Sequence, residues 1–394
     1  MASSCSSSRY FLHKHTIFLH IFLIILTMST PYAIGCYTSI IAFGDSLIDT
    51  GNSLHRSPPD DPPTFGRPPY GETYFPHPTG RCCDGRIIID FIAQNLGLPL
   101  IRPYFGGKNG SEVADLERGV NFAIVGAMAL DDSFFEERGI SLTYANSSLR
   151  CQLSWFKDFL PSLCLTSSNC KSLLQSSLFT LEFGGNDYIH ALRSGKSLEE
   201  VQSYVSLVVN TIASTISELI ELGTRTIMVP GSIPLGCLPS SLTYFISSDM
   251  EEYDSIGCLI WVNKLAEYHN EQLQIALNQT RELHPHATII YADYYNLAMP
   301  LIISPSKFGF TKGALIACCG AGGPYNYNTS VSCGDPPSSA PDDPSLYVNW
   351  DGLHLTEAAY KLMSKGLLEG QYTIPHINTS CVSMTVSAEY PNNE

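Results

Sequence analysis

Short apolar runs alternate along this chain with longer stretches in which apolar residues return every three or four positions, and that alternation constrains the fold more than any other feature. Residues 39–43 (Ser-Ile-Ile-Ala-Phe), 120–125, 178–183, 226–229 and 287–291 read as buried strands. Val201, Val205, Val208, Ile212, Ile216 and Leu219 recur at helical spacing, and Gly223 then offers a C-terminal stop. A second helical stretch covers residues 260–283 and leads into the strand at 287–291. Strands separated by helices imply a mostly parallel sheet with helices on both faces, and ligands in such folds gather at the carboxyl ends of the strands. The Pro-rich stretch 57–78 and the stretch 320–344 read as surface loops. No repeat, low-complexity linker or shift of composition marks a second domain in the 394 residues. α/β enzymes reach that length with a single core.

The first residues read as an address. Arg9 and Lys14 give a weakly basic start, an apolar run follows from Ile17 to about Met28, and Ala33-Ile34-Gly35 supplies a small-x-small pattern. This is the pattern of a secretory signal peptide, residues 1–35, cut after Gly35 and followed by one domain over 36–394. The run is shorter than the roughly 18–20 residues that a membrane-spanning helix needs, and no later segment reads as apolar enough to span a bilayer.

Two further features agree with export. Of the 13 cysteines, removal of Cys5 with the leader leaves an even number, and disulfides are chemically allowed outside the cytosol. Cys164 and Cys170, close together in a short stretch rich in Ser and Asn, suit a local bridge; Cys237 with Cys258, and Cys333 with Cys318 or Cys319, are further candidates. Asn109, Asn146, Asn278, Asn328 and Asn378 each open an Asn-x-Ser/Thr triplet, which suggests glycosylated surface loops. Lys and Arg number 22 against 37 Asp and Glu, a formal net charge of −15, and no long basic run exists. That balance argues against phosphate-directed nucleic-acid binding and for solubility.

Chemistry gathers just after the strands. Ser46, in Phe43-Gly44-Asp45-Ser46-Leu47, sits where the first strand gives way to a helix or loop. A helix N-terminus there offers backbone N–H groups to a ligand, but a serine after a strand is most commonly a helix cap. Gly126-Ala127 follow the second strand, and Gly184-Gly185-Asn186-Asp187 follow the third. Asn186 is able to aim an N–H at a developing oxyanion, although Gly-Gly-Asn-Asp taken alone is an ordinary turn. Near the end, Asp351 and His354 stand three apart, a spacing that meets on one turn of a helix or in a tight loop. His354 would then take a serine proton while Asp351 fixes its tautomer; with 11 histidines, a chance Asp-x-x-His is the competing explanation.

Together these segments resemble the plant GDSL esterase/lipase family, within the SGNH hydrolases, over nearly the whole chain after the leader. The blocks that carry the resemblance are Gly44-Asp45-Ser46-Leu47, the run 119–127, Gly185-Asn186-Asp187-Tyr188 and Asp351-Gly352-Leu353-His354, with Pro234-Leu235-Gly236-Cys237 and Cys318-Cys319-Gly320 beside them. The resemblance implies a three-layer α/β/α, flavodoxin-like domain with no metal and no cofactor. It implies Ser46 as nucleophile, His354 as general base and Asp351 as its orienter. The implied oxyanion hole comprises the N–H groups of Ser46 and Gly126 and the side chain of Asn186. Glu182 and Asp187 are then structural, since the triad already has its acid. No Gly-x-Ser-x-Gly occurs, which counts against the α/β-hydrolase fold. Family members often carry Thr-Gly-Arg-Cys-x-Asp-Gly-Arg with serine after the cysteine; here Cys82 is followed by Cys83, and which of them is bonded stays open.

The expected activity is hydrolysis of a small-molecule or lipid carboxylic ester by a secreted monomer, in the extracellular space or apoplast, or in the vacuole. Two other readings use the same residues: transfer of the acyl group to an alcohol, and a non-catalytic secreted carbohydrate-binding protein that kept the fold.

Overall fold

The computed structural model describes residues 37–107, 118–142, 147–164 and 166–377. The expected leader, residues 1–35, and the sequons at Asn109, Asn146 and Asn378 lie outside the described residues.

Seven strands form one sheet. In chain order they are β1 (Ser39–Phe43), β2 (Arg102–Pro103), β3 (Gly119–Asn121), β4 (Ser177–Leu181), β5 (Thr226–Pro230), β6 (Thr288–Ala292) and β7 (Thr373–Ile374). Their spatial order is β2-β3-β1-β4-β5-β6-β7, parallel throughout except for β7, which runs antiparallel to β6. Without the two-residue edge strands the order is that of a flavodoxin-like sheet, with the direction of winding reversing between β1 and β4.

The layers follow from side-chain alternation. Ile41, Phe43, Phe179, Leu181, Ile227, Val229, Ile289 and Tyr291 enter one core cluster with buried residues of the helices Leu149–Leu163, Leu198–Leu222 and Ile260–Leu283. The intervening Ile40, Ala42, Leu178, Met228 and Ile290 are equally buried. Helices Ile88–Asn95 and Tyr294–Ile303, which both pack on Glu357–Leu368 between them, complete with it a three-layer α/β/α sandwich.

The helix Leu198–Leu222 is long and apolar enough to cross a membrane, contrary to the sequence expectation for the later segments. Much of that apolarity is the core stripe: Val201, Val205, Val208, Ile212, Ile216 and Leu219 are all buried in the core cluster, while Leu207 and Leu222 are exposed. Ser197 caps its start by accepting from Glu200 N, and Gly223 stands just past its end.

The strand expected at 120–125 is regular only over Gly119–Asn121. Beyond it the chain still donates to the first strand's edge, Phe122 N to Ala42 O at 2.8 Å and Ile124 N to Gly44 O at 3.1 Å. On its other side, Asn52 Nδ2 donates to the carbonyls of Asn121 and Ala123, replacing a ladder partner with a side chain. The two edge strands β2 and β7 were not foreseen; Pro103 is tolerated in β2 because an edge strand need not donate on both sides.

Among the described residues three disulfides join Cys164 to Cys170, Cys237 to Cys258, and Cys319 to Cys333. The choice left open for Cys333 thus falls on Cys319, and Cys318 is a buried free thiol. Cys82 and Cys83 are both unbonded and buried. Cys170 lies in the helix Ser167–Ser176 rather than in a loop. Asn278 likewise lies on a helix, Ile260–Leu283, exposed on its polar face, while Asn328 is exposed in the loop 320–344.

Candidate active site

Three of the chain segments singled out in the sequence end at the same place, the carboxyl ends of β1, β3 and β4, beside the point where the winding reverses. Phe43 anchors the end of β1: its ring stacks on Phe122 at 5.4 Å and meets Phe156 edge-on at 5.6 Å. The chain then turns sharply. A Cβ on Gly44 would stand 2.9 Å from Glu182 O and closer still to Ile48, so only glycine allows β1 and β4 to come this near at their ends.

Ser46 lies on a single turn, closed by Asp49 N donating to Asp45 O at 3.0 Å, and not at a helix N-terminus. The next helix, Asn52–Arg56, begins later because Asp49 gathers its amides: Gly51 N and Asn52 N both donate to Asp49 Oδ1 at 2.7 Å. The same carboxylate accepts from Ser53 Oγ at 2.6 Å, which fixes the whole turn to one carboxyl group.

His354 reaches Ser46 from the far end of the chain. Its Nε2 is 2.8 Å from Ser46 Oγ, and its Nδ1 is 2.7 Å from Asp351 Oδ2. Asp351 and His354 meet in a tight loop, not on a helix; the helix Glu357–Leu368 starts afterwards, capped by Thr356. Asp351 Oδ1 accepts from the amides of Leu353 at 3.0 Å and His354 at 2.9 Å. Tyr70 Oη donates to Asp351 Oδ2 at 2.9 Å, a partner that no sequence pattern announced.

The electrostatics follow from this bonding. Burial pushes the Asp351 carboxyl up, but the charge of His354 and the donors from His354 and Leu353 outweigh it and leave the pKa below the ordinary value. Burial pushes His354 down, while the charge and hydrogen bond of Asp351, with Asp45 behind, leave it above the ordinary imidazole value. Both side chains are buried, yet Ser46 and His354 line two clefts.

The candidate oxyanion donors lie at the same point. Gly126 has φ +76° and lines one cleft with Ser46 and Asn186. Among the described residues the amides of Ser46 and Gly126 donate to no acceptor. Asn186 stands in the first turn of the helix Gly185–Arg193, whose N-cap Gly184 has φ +123° and no room for a Cβ, which would stand 2.8 Å from the His269 ring. Its Nδ2 donates to Asp45 Oδ2 at 2.8 Å and to Ala127 O at 3.1 Å, so the amide is aimed by the residue next to the serine.

Glu182 and Asp187 take different places. Asp187 accepts from the amides of Ala129 at 2.9 Å and Leu130 at 3.1 Å and ties β4 to the segment after β3. Burial, only partly offset by those amides, pushes it up to about 7. Glu182 lies against Asp45 at the floor of the cleft; burial first, and then the Asp45 charge, push its carboxyl well above the usual range. The stretch 79–86 joins the loop 57–78 to the start of the helix Glu357–Leu368: Arg86 pairs with Glu357 at 2.7 Å, and Asp84 accepts from Glu357 N at 2.8 Å and from Thr73 Oγ1 at 2.6 Å. Among the described residues no group of three or more His, Cys, Asp or Glu side chains is placed to hold a metal ion.

Comparison with known proteins places these features in one family. Residues 40–367 match the model of the GDSL-like lipase/acylhydrolase family. A GDSL esterase/lipase of Arabidopsis thaliana is 52% identical over 352 residues, covering 89% of this chain and 89% of the relative. The sinapine esterase of Brassica napus is 47% identical over 349 residues, covering 88% of this chain and 89% of that enzyme. Among solved structures, an acetylxylan esterase from Geobacillus stearothermophilus aligns over 86% of this chain and 95% of its own, at 12% identity and a TM-score of 0.38.

Proposed function

The chain belongs to the GDSL-like lipase/acylhydrolase family and is a carboxylic ester hydrolase, and on that premise we propose that it acts through an acyl-enzyme formed on Ser46. The observation that carries this reading is the unbroken line from Asp351 Oδ2 through both nitrogens of His354 to Ser46 Oγ, with separations of 2.7 and 2.8 Å. In the first half-reaction His354 Nε2 accepts the hydroxyl proton as Oγ attacks the ester carbonyl carbon. The bond to the alcohol oxygen then breaks, and His354 returns the proton to that oxygen. In the second half a water gives its proton to His354 and attacks the acyl carbon; the Ser46 Oγ–acyl bond breaks and the proton returns to Oγ. Asp351 holds the ring in one tautomer and offsets the charge that His354 gains in each half.

The charge that develops on the carbonyl oxygen meets the amides of Ser46 and Gly126 and the side chain of Asn186. Asn186 supplies its proton by giving up the longer of its two bonds, the one to Ala127 O, while the bond to Asp45 keeps it aimed. The substrate is a small soluble ester, a reading supported by the 47% identity with the sinapine esterase of Brassica napus. Residues 1–35 are a leader removed on export, and 36–394 form the hydrolase domain that enters the extracellular space, the apoplast or the vacuole. Support for export comes from three disulfides and from the exposed sequons at Asn278 and Asn328.

A fluorophosphonate probe tests the nucleophile. Peptide mapping is expected to recover the adduct on Ser46 and to find none in Ser46→Ala. An adduct on another serine overturns the assignment.

A further inference from the structure

Both clefts beside Ser46 share one cation. Arg193, the last residue of the helix Gly185–Arg193, lines the cleft that holds Leu235, Leu238 and Ile233 and also the cleft that holds Tyr70, Tyr327 and Val125. Its guanidinium lies over the Tyr244 ring at 4.3 Å. Its Nε and Nη2 are both buried and have no hydrogen-bond partner among the described residues. No ion pair involves Arg193 among those residues, whereas Arg81 and Arg86 are paired with Asp90 and Glu357. The acids around it are already occupied: Asp351 by His354 and Tyr70, Asp45 by Asn186 and Leu47 N, Glu182 by Asp45.

The identity of the two free donors matters. Nε–H and one Nη2–H project from the same edge of a guanidinium, parallel and spaced like the two oxygens of a carboxylate. This protein uses that edge elsewhere: Arg81 Nε and Nη2 each sit 2.7 Å from one oxygen of the buried Asp90. Arg193 lines both clefts beside Ser46, and the same two donors of its guanidinium are buried there without a partner. A buried charge with two unpaired donors is costly to keep unless a ligand supplies the counter-charge. His190, which lines the cleft with Tyr70 beside Arg193 and His354, is pushed down to about 4 by burial and then by the Arg193 charge, so it is neutral at the pH where Arg193 is cationic.

We propose that Arg193 is a specificity-determining residue and that the preferred substrate is an ester carrying a carboxylate, on its acyl or its alcohol part, which pairs with the Arg193 guanidinium in the cleft lined by Tyr327. The inference rests on Ser46 being the nucleophile. The guanidinium does not take part in bond breaking; it fixes the free end of the substrate so that the ester carbonyl is held at Ser46.

The test uses two matched pairs. Monomethyl adipate against methyl hexanoate places the charge on the acyl side, and para-acetoxybenzoate against para-acetoxytoluene places it on the alcohol side; acid release is measured for each, with Ser46→Ala as background. In the wild type one pair is expected to show kcat/KM for the charged ester roughly tenfold or more above its neutral partner. In Arg193→Met that ratio is expected to fall to about one, and in Arg193→Lys to an intermediate value, since an ammonium keeps the charge but not the fork. The responding pair identifies the part of the substrate that bears the carboxylate. Neutral esters turned over with no charge preference in either wild-type pair would overturn the role of Arg193 alone, whatever the variants do. No Ser46-dependent turnover of any of the four would remove the esterase assignment beneath it as well.

Discussion

Tyr70 Oη and His354 Nδ1 converge on one oxygen, Asp351 Oδ2, at 2.9 and 2.7 Å. The phenol therefore shares the negative charge that would otherwise be directed at the imidazole. His354 must be neutral to accept a proton, and its pKa is raised; kcat/KM should thus rise with pH through a limb lying above the ordinary imidazole value and be lost below it. In Tyr70→Phe the carboxylate loses a donor and leans harder on His354, so the limb should move to still higher pH. A hydrogen bond to a buried charge contributes about 1.5–3 kcal/mol, so a loss of stability of that order should accompany the shift. A pH–rate profile with an unmoved limb would show that Tyr70 does not bear on the base.

Asn186 should matter for rate more than for binding. The substrate carbonyl is nearly neutral in the ground state and almost fully negative in the tetrahedral state, so a donor aimed at it acts on the second. Asn186→Ala is expected to lower kcat by about 10²–10³ and leave KM within about threefold. Its bond to Asp45 makes the opposite outcome equally concrete: if the amide serves only to tie Asp45 to Ala127, the variant keeps its kcat and melts earlier. Measuring kcat, KM and melting temperature on one preparation decides between the two.

The buried pair Arg81–Asp90 should be a stability determinant without a catalytic role. Both side chains are almost wholly removed from solvent, 6% and 0% exposed, and the pair holds the loop 57–78 region to the helix Ile88–Asn95. Arg81→Ala leaves Asp90 buried and uncompensated, which costs about 3–5 kcal/mol. Chemical denaturation should show that loss, and kcat per folded molecule should hold.

The parts of this protein legible in its sequence are those where local pattern and burial coincide. β1, β4, β5 and β6 are mostly apolar, broken inside only by Thr180 of β4, because both faces of a central parallel strand are covered. The helix Leu198–Leu222 showed its buried stripe residue by residue. β2 and β7, two residues each, carry no period to detect. The same divide runs through the site. Ser46, Asn186, Asp351 and His354 sit in short blocks whose spacing means something locally. Tyr70 meets Asp351 across 281 residues, and Arg193 comes to the clefts only because the helix beginning at Gly185 points its last turn there. Such residues become visible when the topology has brought the strand ends together.

The central claim is that Ser46 is the nucleophile and His354 its base, and the turnover of Ser46→Ala tests it most directly. Steady-state hydrolysis of an activated ester by wild type and variant, with circular dichroism and melting temperature measured on the same samples, separates chemistry from folding. A variant that folds as the wild type does and loses about 10⁴-fold or more in kcat is the expected result. Near-normal turnover by a clean, folded Ser46→Ala preparation would contradict the account.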